Sequence, residues 1–110
     1  MRRYVGSMGS ANNGAVALVT RVWFADGRDG ASELFVETPD RLGILFAVVT
    51  AIIGARVKIL KSEATISNGL ARDWFLVAEA DGRPIAAARR EHLRLQVLSA
   101  IDTWWQRGAA

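Results

Sequence analysis

The chain has 110 residues, of which 51% belong to the hydrophobic set and 23% are charged. That length suits one domain and leaves no room for a large catalytic domain beside a separate regulatory one. Cysteine is absent and His92 is the only histidine, which excludes disulfides, thiolate metal sites and histidine-pair metal sites. The formal net charge of +3 does not match the concentrated basic surface of nucleic-acid-binding proteins. We therefore expect a small folded domain with no metal, no cofactor and no nucleic-acid partner.

The apolar stretches are too short for a membrane span. The longest, Leu42 to Ala55, is interrupted by small and polar residues and is shorter than the roughly 20 residues that cross a bilayer. Met1-Arg2-Arg3 resembles the start of a signal peptide, but the polar segment that follows contains no apolar core of sufficient length. We predict a cytoplasmic protein with no membrane partner, a flexible lead over residues 1–14 and a single domain over residues 15–107.

Two strands come first along the chain. Ala15 to Ala25 is rich in β-branched and aromatic residues, which favour a strand. Asp26 to Gly30 is a turn signal. Glu33 to Glu37 alternates charged or aromatic residues with aliphatic ones and predicts a second strand, ended by Thr38 and Pro39.

A helix is predicted next, from Arg41 to Ala55, with Asp40 as its N-cap because a carboxylate can accept the backbone N–H groups of a first turn. Apolar residues cover nearly the whole circumference of this helix, whereas a helix on one sheet needs a single apolar stripe. The surplus indicates a second buried contact. Either another subunit covers the helix or its own small domain encloses it.

A hairpin and a second helix complete the chain. Val57 to Ser67 and Leu70 to Ala80 are strand candidates joined by Asn68-Gly69, the strongest short hairpin signal in the sequence. Apolar residues recur at helical spacing from Ala86 to Gln106. The order strand, strand, helix, strand, strand, helix predicts an α+β open sandwich, an antiparallel sheet with two helices on one face. The other face is then bare unless something covers it.

Arrangements of residues typical of catalysis are missing. Asp26 with Asp29, and Glu37 with Asp40, lie near turns where acidic residues act as caps and solvated surface. His92 lies in an arginine-rich helical segment, and we expect it to face solvent. Because no nucleophile, acid or base has orienting neighbours, we predict that the chain is not an enzyme. The surplus of arginine in residues 83–107 is interpreted as a solvated helix face.

A family resemblance begins at residue 37. The string Glu37-Thr38-Pro39-Asp40-Arg41-Leu42-Gly43-Ile44-Leu45 resembles the Asp-Arg-Pro-Gly-Leu-Leu signature of ACT domains. The match continues without a gap through Ile59, Ala71, Asp73, Phe75 and Val77, and ends at a turn similar to the family's Asp-Gly-x-Pro-Leu, namely Asp81-Gly82-Arg83-Pro84-Ile85. The chain most resembles the ACT module at the C-terminus of bacterial PII uridylyltransferases. About 80 residues, from Thr20 to Ile101, take part.

The resemblance implies a ferredoxin-like fold, usually strand, helix, strand, strand, helix, strand. Little follows the last helix here except Gly108-Ala109-Ala110. We therefore predict that the N-terminal segment Val16 to Phe24 takes the place in the sheet of the missing C-terminal strand.

The signature also implies a binding site. Free backbone N–H groups and the helix dipole favour an anion at the start of a helix, and Gly43, without a side chain, allows a ligand or another backbone to come close. In ACT domains this loop commonly contacts a bound amino acid, often across a dimer interface. The resemblance places on one side of the ligand Asp40, Arg41, Leu42, Gly43 and Ile44, and on the other side Lys61, Ser62 and Ala64.

The roles follow from the chemistry of an amino acid. Asp40 pairs with the amino group, while the amides of Leu42 and Gly43 meet the carboxylate. The alternative is that Asp40 is only an N-cap and Gly43 only a packing residue. The chain departs from the family where Leu42 replaces the usual proline, and also at Ser62 and Ile66, which replace a common alanine and a common threonine.

These observations predict a non-catalytic regulatory module that binds a small amino acid and forms a homo-oligomer, a dimer. The alternatives are a structural dimerisation module without a ligand and a remnant of a uridylyltransferase, the nitrogen-regulation enzyme, whose catalytic domains lie in another polypeptide.

Overall fold

The computed structural model describes residues 19–109. The predicted flexible lead, and residues 15–18 of the first predicted strand, lie outside the described residues. The elements in chain order are strand β1 (Arg21–Asp26), a short 3-10 turn (Arg28–Gly30), strand β2 (Ser32–Pro39), helix α1 (Ile44–Gly54), strands β3 (Val57–Ser67) and β4 (Leu70–Glu79), and helix α2 (Ala87–Ala109).

The α+β prediction is confirmed. Four strands form one antiparallel sheet in the order β1-β2-β4-β3, accompanied by two helices. The strand at the N-terminal side, β1, occupies one edge beside β2, and β3 occupies the other edge. No strand follows α2 as far as residue 109.

The hairpin lies where Asn68-Gly69 predicted it. Asn68 and Gly69 have φ angles of 55° and 75°. Positive φ at both central residues is what a type I′ turn requires, and this turn matches the right-handed twist of the strands. The predicted bounds of β3 are confirmed, and β4 ends one residue earlier than expected.

Strands β1 and β2 differ from the predicted segments at their ends. Val19 and Thr20 lie outside β1, which begins at Arg21 and extends to Asp26. Strand β2 is longer than predicted and includes Thr38 and Pro39, because both residues pair with β4. Pro39 is the last residue of β2 and lies beyond Glu37, the last residue of this strand that pairs with β1.

The prediction that Asp40 caps α1 is wrong. The helix begins at Ile44, its N-cap residue is Gly43 in the left-handed conformation (φ 82°, ψ 1°), and no side chain makes a cap hydrogen bond. The backbone N–H of Asp40 donates to the Gly69 carbonyl at 2.8 Å. This bond holds Asp40 at the end of the sheet, and a turn closed by Ile44 N–H to the Arg41 carbonyl precedes the helix.

Both helices pack on one face of the sheet, as expected for an open sandwich. The inward-facing strand residues and one side of each helix form a single core, whose largest fully buried members include Phe75, Leu34, Ile52, Leu93 and Ile101. Trp104 and Trp105 of α2 pack against this core while remaining partly exposed. Helix α2 starts one residue later and ends three residues later than predicted.

Helix α1 keeps a second apolar side that the described part of the chain does not cover. Leu45, Phe46 and Ile53 are 40%, 67% and 60% exposed. They lie within about 100° of arc on the helix, with half-buried Val49 between them. We call these three exposed residues the outer face of α1. Within residues 19–109 the domain therefore does not enclose α1.

Candidate functional site

The loop of residues 40–43 joins β2 to α1 and carries half of the eight predicted ligand contacts. Asp40 and Leu42 are exposed, Leu42 by 94%, whereas Arg41 and Gly43 are half-buried. Ile44 is buried and belongs to the core. The loop therefore lies at the surface where α1 begins, whereas the side chain of Ile44 is buried in the core.

Gly43 has a close neighbour in its own chain. A Cβ atom at this position would lie 2.3 Å from Cζ2 of Trp104, so that only glycine fits. The Trp104 indole Nε1 donates to the Leu42 carbonyl at 2.9 Å. The close approach predicted from Gly43 thus occurs, but the group that approaches on this side is the indole of Trp104.

Arg41 is also held by α2. Its guanidinium lies 4.5 Å from the centre of the Trp105 ring and donates to the Trp105 carbonyl at 3.2 Å. A groove of about 390 Å³ remains between Arg41, Leu42, Trp104 and Arg107. Its two guanidinium groups make this groove attractive to an anion.

Sequence reasoning missed Asp73 as a site residue. This β4 residue is only 4% exposed, and its Oδ2 atom has no hydrogen-bond partner within the described residues. Burial removes water from the carboxylate and, together with repulsion from Asp40, raises the pKa of Asp73 to about 6. A signal did exist in the sequence, because the period of two places Asp73 between inward-facing Ala71 and Phe75.

The three predicted residues of β3 do not come together. Ser62 and Ala64 pair with Phe75 and Asp73 and therefore share the helix side of the sheet, although both are exposed. Lys61 pairs with Leu76 and points to the opposite face. A β-bulge between Ile59 and Lys61 sets this phase.

One member of each carboxylate pair considered in the sequence has an arginine partner. Glu37 accepts hydrogen bonds from Arg21 and Arg72, each at 3.0 Å, and Asp26 pairs with Arg90 at 2.7 Å. His92 is exposed on α2, and among residues 19–109 no group of three metal-ligating side chains comes together.

The arginines at the start of α2 connect the elements of the fold. Arg89 donates to Glu79 at 3.0 Å and to the Ala55 carbonyl at 2.8 Å, which ties α2 to β4 and to the end of α1. Arg90 donates to Asp26 and to the buried Ser32 hydroxyl. The interpretation of these arginines as a freely solvated helix face is therefore wrong for these two residues.

Between residues 19 and 109, no helix combines the length and the apolar character that a membrane crossing requires. No protein-family model matches the sequence, and no solved structure matches the chain. The likeness to ACT domains rests on the signature residues.

Proposed function

We propose that this chain is a non-catalytic regulatory module of the ACT type, with a ferredoxin-like fold, that binds a small amino acid at residues 40–43 and forms a homodimer. The strand order supports the fold, because β1 stands beside β2 where a ferredoxin-like sheet has its last strand. The signature residues support the family.

The binding proposal depends on two opposite electrostatic features, a pair of carboxylates and the N-terminus of α1. Among residues 19–109 one oxygen of the buried Asp73 carboxylate has no hydrogen-bond partner, and this carboxylate lies close enough to Asp40, in the loop before α1, to be repelled by it. Two carboxylates in this position favour a cation. Helix α1 begins at Ile44, no described side chain caps it, and its N-terminus favours an anion. A free amino acid carries both charges, ammonium and carboxylate.

Strand β3 leaves one approach to Asp73 thinly covered. The cross-strand neighbour of Asp73 on β3 is Ala64, a small residue that is exposed on the helix side. From Leu60 to Ser67 every residue of β3 is exposed. The buried carboxylate therefore lies one strand inward from a bare edge.

A second copy supplies the cover that β3 and the outer face of α1 lack. Edge strands offer unpaired N–H and C=O groups to another strand. A two-fold axis perpendicular to the sheet beside β3 pairs the two β3 strands in antiparallel fashion and brings the helix layers side by side. In this dimer the ligand lies at the interface and shifts association by as much as its affinity differs between monomer and dimer.

Titration calorimetry with each of the twenty amino acids tests the binding proposal. We expect heat with at least one of them, and at least a tenfold loss of affinity in Asp73→Asn and Asp40→Asn. The matched control is Asp81→Asn, which removes an exposed carboxylate whose partner is Arg83 in the turn after β4. Absence of heat with all twenty, while the protein is folded, contradicts the proposal.

A structural dimerisation module without a ligand is the second candidate. The observation in its favour is Trp104, which already occupies the space over Gly43. Sedimentation distinguishes the two functions, because a purely structural dimer keeps the same dissociation constant in the presence of every amino acid.

A further inference from the structure

The sheet face that the helices leave uncovered carries a regular array of side chains. We call it the open face. Trp23, Phe35 and Trp74 lie opposite one another on β1, β2 and β4, and Glu63 continues this row on β3. The next row contains Arg21, Glu37, Arg72 and Thr65. Residues in cross-strand register share one face, so both rows point away from the helices.

The aromatic row is ordered but incompletely covered. The rings of Trp23 and Phe35 are stacked with their centres 5.1 Å apart and their planes 7° from parallel. Trp74 donates its indole N–H to Glu33 at 3.0 Å. Trp23, Phe35 and Trp74 line a groove of about 420 Å³, and Trp23 is 39% exposed.

Charges of both signs alternate on the open face. Glu37 lies between Arg21 and Arg72 and pairs with both. The remaining charged members are Glu33, Lys58, Lys61 and Glu63. Three acidic and four basic groups nearly balance, which suits a partner with the same alternating pattern and disfavours a polyanion.

We propose that the open face packs against the open face of a second copy, about a two-fold axis that runs parallel to the strands between β2 and β4. This axis exchanges the two central strands, so that β2 of one copy lies over β4 of the other. Glu37 then faces Arg72, and Phe35 faces Trp74, each of them twice.

A two-fold axis perpendicular to the strands is disfavoured because it places Glu37 over Glu33. Aligned sheets cross at about 30°, but residues on the two central strands stay close to the axis and keep their partners.

The available area sets the strength of this contact. Four strands about 4.8 Å apart, and the eight residues of β2 at about 3.4 Å each, give a footprint of about 500 Å² per copy. The total of about 1,000 Å² is near the lower limit for a specific interface, and we therefore expect a dissociation constant in the micromolar range. This contact is independent of the proposed ligand-binding dimer, because it uses neither β3 edge pairing nor the outer face of α1.

Sedimentation velocity over a concentration series tests the proposal. Phe46→Glu serves as the background, because it charges the outer face of α1; changes at Glu37 and Arg72 then test the open face, since both residues lie on the central strands and leave the β3 edge unchanged. In this background we expect a monomer–dimer equilibrium. Glu37→Arg alone and Arg72→Glu alone place like charges opposite each other twice and weaken the dimer at least about tenfold. The double swap restores opposite charges and returns the dissociation constant to within about threefold of the background value.

Thermal unfolding at low concentration verifies that each variant is folded. A strict monomer in the Phe46→Glu background, or a double swap no stronger than the single variants, overturns the open-face proposal and leaves the ligand-binding dimer untouched. Tight binding of a single-stranded oligonucleotide that Trp74→Ala abolishes also overturns it, because the aromatic row is then a stacking surface for bases.

Discussion

The unpaired carboxylate of Asp73 gives the sharpest prediction about stability. Asp73→Asn removes the charge and keeps the size and shape of the side chain. Folding raises the pKa of this carboxyl from its ordinary value of 3.8 to about 6, chiefly because burial disfavours the charged form. The folded state therefore holds this proton more tightly than the unfolded state does.

The sign and the magnitude of the effect of pH on stability follow from the linkage between proton binding and folding. Between pH 4 and pH 6 the folded protein binds more protons at Asp73, so this group makes the protein less stable as the pH rises. The gap between 3.8 and about 6, at 1.36 kcal/mol for each pH unit, amounts to about 3 kcal/mol. The full effect is present above pH 6 and is absent below about pH 4.

Urea unfolding of the wild type and of Asp73→Asn, followed by tryptophan fluorescence at pH values from 4 to 7.5, measures this effect. We expect the free energy of unfolding of the variant, relative to the wild type, to rise by about 3 kcal/mol from the lowest pH to the highest. Asp81→Asn controls for the loss of an exposed carboxylate. If the difference in unfolding free energy between wild type and variant stays constant with pH, Asp73 is not a buried, uncompensated charge and the expected raised pKa is wrong.

Three further changes test other contacts. Gly43→Ala forces a Cβ against Trp104 at a φ of 82°, and we expect at least about 2 kcal/mol of lost stability in urea unfolding; combining it with Trp104→Ala should cost less than the sum of the single changes. Arg89→Ala breaks the bonds to Glu79 and to the end of α1, and a loss of about 1–2 kcal/mol is expected for partly exposed charged hydrogen bonds; no change in unfolding would show that the contact is incidental. Phe46→Glu should leave the thermal midpoint of the dilute protein unchanged and weaken association measured by light scattering, since this side chain is 67% exposed; an unfolded variant contradicts this assignment.

Local patterns were sufficient to predict most of the strands. The alternation in β2 and the Asn68-Gly69 pair are short-range signals, and both correspond to the observed sheet. The start of α1 could not be predicted in this way. Asp40 has the chemistry of a cap, but its backbone N–H bonds to Gly69, a residue 29 positions away. This tertiary contact overrides the local signal.

The candidate site shows the same division. The loop of residues 40–43 was predicted from its resemblance to the signature. Which face of the sheet each β3 side chain points to depends on a bulge near Leu60, and no residue type in the sequence predicts this bulge. Alternation along the strand places Lys61 opposite to Ser62 and Ala64, and the bulge decides which of these two sets faces the helices. Asp73 was visible as a polar residue in an inward-facing position, but only the structure shows that it has no hydrogen-bond partner on Oδ2.

In the proposed complex a bound amino acid places its ammonium group near the Asp73 and Asp40 carboxylates. Carboxyl carbon-13 NMR titration of Asp73, with and without each amino acid that gives heat in calorimetry, tests this placement. We predict that the pKa of Asp73, about 6 in the free protein, falls when the ligand binds, because a nearby positive charge favours the ionised carboxylate. A pKa that stays the same in the presence of every amino acid would contradict this placement.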